Sequence, residues 1–182
     1  MAISYGKMVI IGAGKVGSAI LNSVLRMNIL DEIVVVNRNQ KKALGEVLDA
    51  SHTTAFAYSA NANIHVGGYE ECADAQIIVV TAGPSIQPGN SRDRMVLLEK
   101  NVNVMNDIME QITRYTREAI IIVVSNPLDI LTYIAQKKFD YPAKALLTAA
   151  KRTTAGWCAD AVRQCQVLDR RMKSEKGMDA AG

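Results

Sequence analysis

The stretch Val9-Ile-Ile-Gly-Ala-Gly-Lys-Val-Gly17 decides how this 182-residue chain folds. An apolar, β-rich run ends in glycines at 12, 14 and 17, and a helix-period segment opens inside them. Each glycine has a separate task in such a corner. Gly12 permits the tight turn, Gly14 lets a pyrophosphate approach the backbone, and Gly17 lets helix and strand pack closely. The helix N-terminus then faces the phosphates with unpaired N–H groups. A G-x-G-x-x-G run is weak evidence alone, but here strand, helix and a second strand follow in register.

Outward from that corner, β-rich runs recur at Met8–Ile11, Ile33–Val36, Ile64–Val66, Ile77–Val80 and Ile120–Val124. Most are continuously apolar, as strands covered on both faces are. Between them, Val16–Met27, Gln40–Ala50, Arg94–Tyr115 and Leu128–Lys137 are long enough for helices. This alternation predicts an α/β fold with a doubly wound parallel sheet. After Pro142 the pattern fails: Ala143–Leu147 can begin another strand, but Thr148–Gly182 shows no comparable unit. The expected division is a dinucleotide-binding domain over 1–143 and a poorly packed tail over 144–182, with a helix over Trp157–Arg171 as one candidate element.

Composition narrows the function classes. With 49% hydrophobic and 21% charged residues, the chain can bury a core. Its longest apolar run, Ala119 to Val124, is far short of the ~20 residues a membrane span needs, and no secretory leader is read, so no membrane partner is expected. Cys72, Cys158 and Cys165 cannot all pair and have no metal-ligand spacing, which fits a reduced, cytoplasmic protein without a metal. The net charge of +3 is uneven: residues 1–143 hold 13 Lys/Arg against 14 Asp/Glu, and residues 144–182 hold 8 against 4. The main body therefore gives no reason to expect a nucleic-acid partner.

An acidic residue about 20 positions beyond the glycines normally accepts hydrogen bonds from the adenosine ribose. Here the second strand ends Val34-Val-Val-Asn37-Arg38 instead. Asn37 can bond a ribose but repels nothing, and Arg38 can attract a 2′-phosphate. NAD is the expected coenzyme, with NADP left open. A solvated surface charge is the commoner fate of a lone arginine.

Further motifs stand in order: Asp49-Ala-Ser-His52, Val80-Thr-Ala-Gly83, Pro88-Gly-Asn-Ser-Arg92 and Ser125-Asn-Pro-Leu-Asp129. With the glycine fingerprint, they make residues 5–143 resemble the lactate/malate dehydrogenase family, whose coenzyme domain is Rossmann-like. The resemblance implies that Gly12, Gly14, Lys15, Val16, Gly17, Asn37 and Arg38 serve the cofactor. It implies the same for Thr81, Ala82 and Gly83, the cofactor-crossing turn, and for Val123 and Asn126 near the nicotinamide. Gln87–Arg94 resembles the family's mobile loop. Arg92 falls at its catalytic arginine, which polarises the ketone of a 2-oxo acid, and Asn126 at the asparagine that bonds the substrate oxygen. Pro127 and Asp129 are read as shaping that turn. Ile86 falls at the substrate-discriminating position, where an apolar side chain leaves a second carboxylate unpaired and favours an apolar substrate.

By the same resemblance, an acid/base histidine is lacking. The family's Gly-Thr-Gly-Thr, Leu-Asp-x-x-Arg and Gly-Glu-His-Gly segments do not occur here, and His52 and His65 read as structural. The expectation is a lactate/malate-type oxidoreductase chain without its second, catalytic domain and inactive as written; a non-catalytic nucleotide-binding fragment is the alternative. The implied partner is a 2-oxo or 2-hydroxy acid, and the full-length form is expected to be a homo-oligomer, partly through the helix from Met95 to Tyr115. Degenerate codons for Ala155 through Val162, stepped forward one base, include Leu-Asp-Gly-Ala-Arg-Met-Arg, which contains the missing Leu-Asp-x-x-Arg. A shifted reading frame is therefore expected for the tail.

Overall fold

The structure is a computed structural model that describes residues 6–54, 62–84 and 94–148. Expectations for Ile86, for Arg92 and the rest of the loop at 87–93, and for the tail beyond Thr148 lie outside these residues. Among the described residues, six parallel strands are joined by four α-helices and two short 3-10 turns. In chain order the strands and α-helices are β1 (Lys7–Ile11), α1 (Lys15–Met27), β2 (Glu32–Val36), α2 (Gln40–Thr54), β3 (Asn63–Val66), β4 (Ile77–Val80), α3 (Arg94–Tyr115), β5 (Ile120–Val123), α4 (Leu128–Phe139) and β6 (Leu146–Thr148). The sheet order is β3-β2-β1-β4-β5-β6, so the winding reverses between β1 and β4. All five pairings are parallel, with Met8 opposite both Ile33 and Ile77.

The continuous apolar runs follow from burial on both faces. Met8 and Ile10 pack into one core layer with Ile20, Leu21 and Val24 of α1 and Val47 of α2. Val9 and Ile11 face the opposite layer, with Met105, Ile108, Met109 and Ile112 of α3 and Leu131 of α4. The α3 residues recur at helical spacing, and this chain's own sheet covers them. Exposed large apolar side chains among the described residues instead include Leu44 and Leu48 of α2 and Ile130 and Tyr133 of α4.

Two local details depart from the sequence reading, and a third follows it. The second helix runs to Thr54 rather than Ala50, so His52 lies in its last turn and not after it. Ser51 Oγ donates to the Val47 carbonyl and Thr53 Oγ1 to that of Ala50, which lets polar residues extend the helix. The first strand begins at Lys7, a charged residue only 8% exposed. Its ammonium is met by Glu71 at 2.5 Å, Asp74 at 2.8 Å and Glu32 at 3.8 Å. The strand that Ala143–Leu147 can begin is β6, which pairs with β5 through Leu146–Thr148. His65 sits on edge strand β3, with Nε2 2.8 Å from Glu32 Oε1.

Three groups with raised pKa values favour this fold in their protonated forms. Burial pushes the Cys72 thiol from an ordinary 9.0 up to about 12, with Lys7 pulling the other way. Burial also raises Tyr141, whose hydroxyl donates to the Ala119 carbonyl at 2.6 Å. Lys7 is raised too: burial pulls it down, but the Asp74 and Glu71 carboxylates outweigh that pull. All three folded-state values exceed the unfolded ones. Their contribution is complete below about pH 9 and is lost as pH rises from there through the folded values. The urea midpoint should be level from about pH 7 to 8.5 and fall steadily above 9. A midpoint that climbs in that upper range would contradict the assignment.

Candidate functional site

At the reversal between β1 and β4, the carboxyl ends of the strands open into a cleft of about 1270 Å³. Open α/β sheets bind ligands at such switch points. Its floor is the glycine corner, and the three glycines do three different things. Gly12 has φ +116°, and a Cβ there would lie 2.7 Å from Thr81 Oγ1 and 2.8 Å from the Ala82 nitrogen. At Gly17 a Cβ would fall 1.9 Å from the Gly12 carbonyl oxygen. At Gly14 it would meet nothing within 4 Å. The corner is thus closed beneath and open above.

The open side faces the start of α1. Gly14 caps this helix without any side-chain hydrogen bond, and its first turn carries no acidic residue. The first N–H groups of a helix have no intrahelical partner, so this end is prepared for an anion. Thr81 ties the two sides of the cleft together: its hydroxyl lies 3.0 Å from the Gly12 carbonyl and 3.2 Å from that of Ile11, as a donor to them.

Asn37, at the end of β2, accepts from the Ala13 N–H through Oδ1 at 3.3 Å and donates through Nδ2 to the Asn39 carbonyl at 3.0 Å. It therefore braces the glycine corner as well as facing the cleft. Arg38 follows it, exposed at the cleft's edge.

Of the residues expected to serve the cofactor, the cleft brings together Gly12, Gly14, Asn37, Arg38, Thr81, Ala82 and Gly83. Gly17 lies beneath, packed under Gly12. Lys15 and Val16 are exposed in the first turn of α1, outside the cleft lining. Val123 is fully buried in the α3 and α4 layer, also outside the lining. Asn126 is exposed just before Pro127, the residue that caps α4.

The sequence reading missed several residues. Tyr69, which follows Gly67-Gly68 at the end of β3, lines the cleft, as do Lys42 of α2 and Asp107 of α3. Burial raises the Tyr69 hydroxyl pKa, and the charges of Asp107 and Arg38 both act on it, in opposite senses. Asn101 of α3 is only 4% exposed and donates through Nδ2 to the Pro84 carbonyl at 3.4 Å. A Cβ on Gly83 would fall 2.2 Å from its Oδ1, so Asn101 packs directly against this turn. From below, Ser125 Oγ donates to the Ala82 carbonyl at 2.7 Å. The Gly-Gly pair after the third strand is a readable signal for Tyr69, and Ser125 opens the Ser125-Asn-Pro-Leu-Asp129 motif, whereas nothing local marks Asn101.

A parallel sheet that opens at its winding reversal onto such a corner defines a dinucleotide-binding α/β domain. Residues 6–148 match the family described as lactate/malate dehydrogenase, NAD binding domain, and the chain belongs to that family. It is 57% identical over 141 residues to L-lactate dehydrogenase 2 of Clostridium acetobutylicum, covering 78% of this chain and 44% of that one. Identity to the L-lactate dehydrogenase of Selenomonas ruminantium is 46% over the same shares. The crystal structure of a minor L-lactate dehydrogenase from Enterococcus mundtii in ligands-bound form superposes with a TM-score of 0.73 at 33% identity, over 79% of this chain and 45% of that one. The chain thus spans less than half the length of these relatives. The coenzyme of this domain is NAD, and the residues present fit it: open space over Gly14 and an uncapped helix start are what a diphosphate needs. Among the described residues, no helix is long and apolar enough to cross a membrane.

Proposed function

We propose that this domain is the coenzyme half of an L-lactate dehydrogenase-type oxidoreductase, which passes hydride between NAD and a 2-oxo or 2-hydroxy acid. The observation that carries this reading is the glycine corner, closed at Gly12 and Gly17 and open at Gly14, beside an anion-ready helix start. Hydride chemistry belongs to the nicotinamide when it is bound. This chain's residues do the holding. The N–H groups of α1 take the diphosphate, and Asn37 and Arg38 meet the adenosine end. The turn Thr81-Ala-Gly83 shapes the crossing point, with Asn126 at the substrate end.

In the same proposal, Arg92 polarises the substrate ketone, and Ile86 favours an apolar 2-oxo acid over a dicarboxylate. The protein works in the cytoplasm, and the whole enzyme is a homo-oligomer. The coenzyme domain, set at 1–143 from the sequence, takes in the β6 pairing as well, and no part of the proposed function is placed in residues 149–182. Residues 1–182 contain neither the Leu-Asp-x-x-Arg nor the Gly-Glu-His-Gly segment, so on their own they bind NAD without turnover.

The test pairs binding with catalysis on the 182-residue chain. Titration with NADH should quench protein fluorescence saturably and raise the melting temperature. Assays with lactate, malate and 2-oxoisocaproate should give no steady-state turnover. Absent NADH binding would overturn the coenzyme assignment, and measurable turnover would overturn the claim that this chain lacks an acid/base.

A further inference from the structure

We infer that the adenosine end of this cleft accepts a 2′-phosphate, so that the domain binds NADP as well as NAD, with Arg38 as the residue that selects for the phosphate. The inference rests on the reading of the cleft as a dinucleotide site and goes beyond it to coenzyme choice. Dinucleotide sites exclude a 2′-phosphate with a carboxylate at the end of the second strand. Here that position is Asn37, and both functions of its amide are engaged, with Ala13 and with Asn39. No negative charge stands there.

What surrounds the position is positive. Arg38 and Lys42 line the same wall, and neither side chain is ion-paired among the described residues. Asn39 caps α2, its Oδ1 accepting from the Lys42 N–H at 3.1 Å, and the first turn of that helix has no acidic residue. The helix dipole therefore adds to the side-chain charge. The one acidic residue in the described lining is Asp107 of α3, against Arg38, Lys41, Lys42 and Lys100 in the same lining. A phosphate monoester brings about −1.5 to −2 charges and three acceptor oxygens, and a guanidinium meets such a group with two parallel N–H donors.

The experiment titrates the 182-residue chain with NADH and with NADPH at low and moderate salt. NADPH should bind within about tenfold of NADH, and its affinity should fall more steeply with salt. Arg38→Gln, a surface change, should shift the NADPH-to-NADH affinity ratio toward NADH by about fivefold or more. Asn37→Asp should shift it the same way by about tenfold or more, and circular dichroism checks its fold. NADPH binding weaker than NADH by more than that tenfold margin, or an unmoved ratio in Arg38→Gln, would overturn the inference while leaving the dinucleotide site standing. Binding of neither coenzyme would overturn both.

Discussion

Alanine at position 17 should lower the melting temperature by roughly 10 °C and abolish NADH binding. The added methyl would sit 1.9 Å from the Gly12 carbonyl oxygen and 3.1 Å from both the Gly12 carbonyl carbon and Thr81 Oγ1. Two of these three atoms are backbone, so no flexible side chain can swing aside. Nor can the Gly12 peptide turn away cheaply. Its N–H donates to the Val36 carbonyl at 2.8 Å, and its carbonyl accepts from Thr81 at 3.0 Å. The remaining escape is for α1 to retreat from the sheet, which uncovers Ile20, Leu21, Val24 and Leu25, now at most 4% exposed. Overpacking of this kind costs on the order of 3 kcal/mol, and a domain of this size loses about 2–4 °C per kcal/mol. Thermal denaturation followed by circular dichroism measures the loss. A melting temperature within about 2 °C of the parent would mean that helix and strand are not locked through this glycine.

That lock is legible in the sequence itself, because it rests on spacing. The positions of Gly12, Gly14 and Gly17 announce a strand-to-helix corner, and the unbroken apolar runs announce strands covered on both faces. Both signals are local and survive in one dimension. Lys7 shows the limit. A lysine at the head of an apolar run reads as the residue before the strand, yet it enters β1 because Glu71 and Asp74, over sixty positions away, supply the counter-charge. Asn101 shows the same limit in the site. It is an ordinary polar residue in its own segment, and only the packing of α3 against the Ala82–Pro84 turn makes it a support. Asn37 and Arg38 lie between these cases. Their types were informative at once, but the engagement of Asn37 with Ala13 and Asn39 appears only in the folded chain.

Valine at position 14 should do the reverse of alanine at 17: the domain stays folded and the coenzyme is lost. Gly14 has φ −93° and ψ −179°, an extended conformation that a β-branched residue adopts readily. A Cβ there meets nothing within 4 Å, so the protein offers no steric objection. Losing a glycine cap in favour of an apolar residue costs about 1 kcal/mol, a shift of only a few degrees. The open space over Gly14 is, however, the space through which a diphosphate reaches the N–H groups at the start of α1. An isopropyl group there keeps the anion from them, and charge-assisted hydrogen bonds are worth roughly 1.5–3 kcal/mol each. Losing even one or two predicts an NADH affinity lower by about 100-fold, read from a fluorescence titration beside the melt. The two glycines then separate, since position 17 moves stability and binding together whereas position 14 removes binding with only a small loss of stability. An NADH affinity for Gly14→Val within about threefold of the parent would place the diphosphate elsewhere in the cleft.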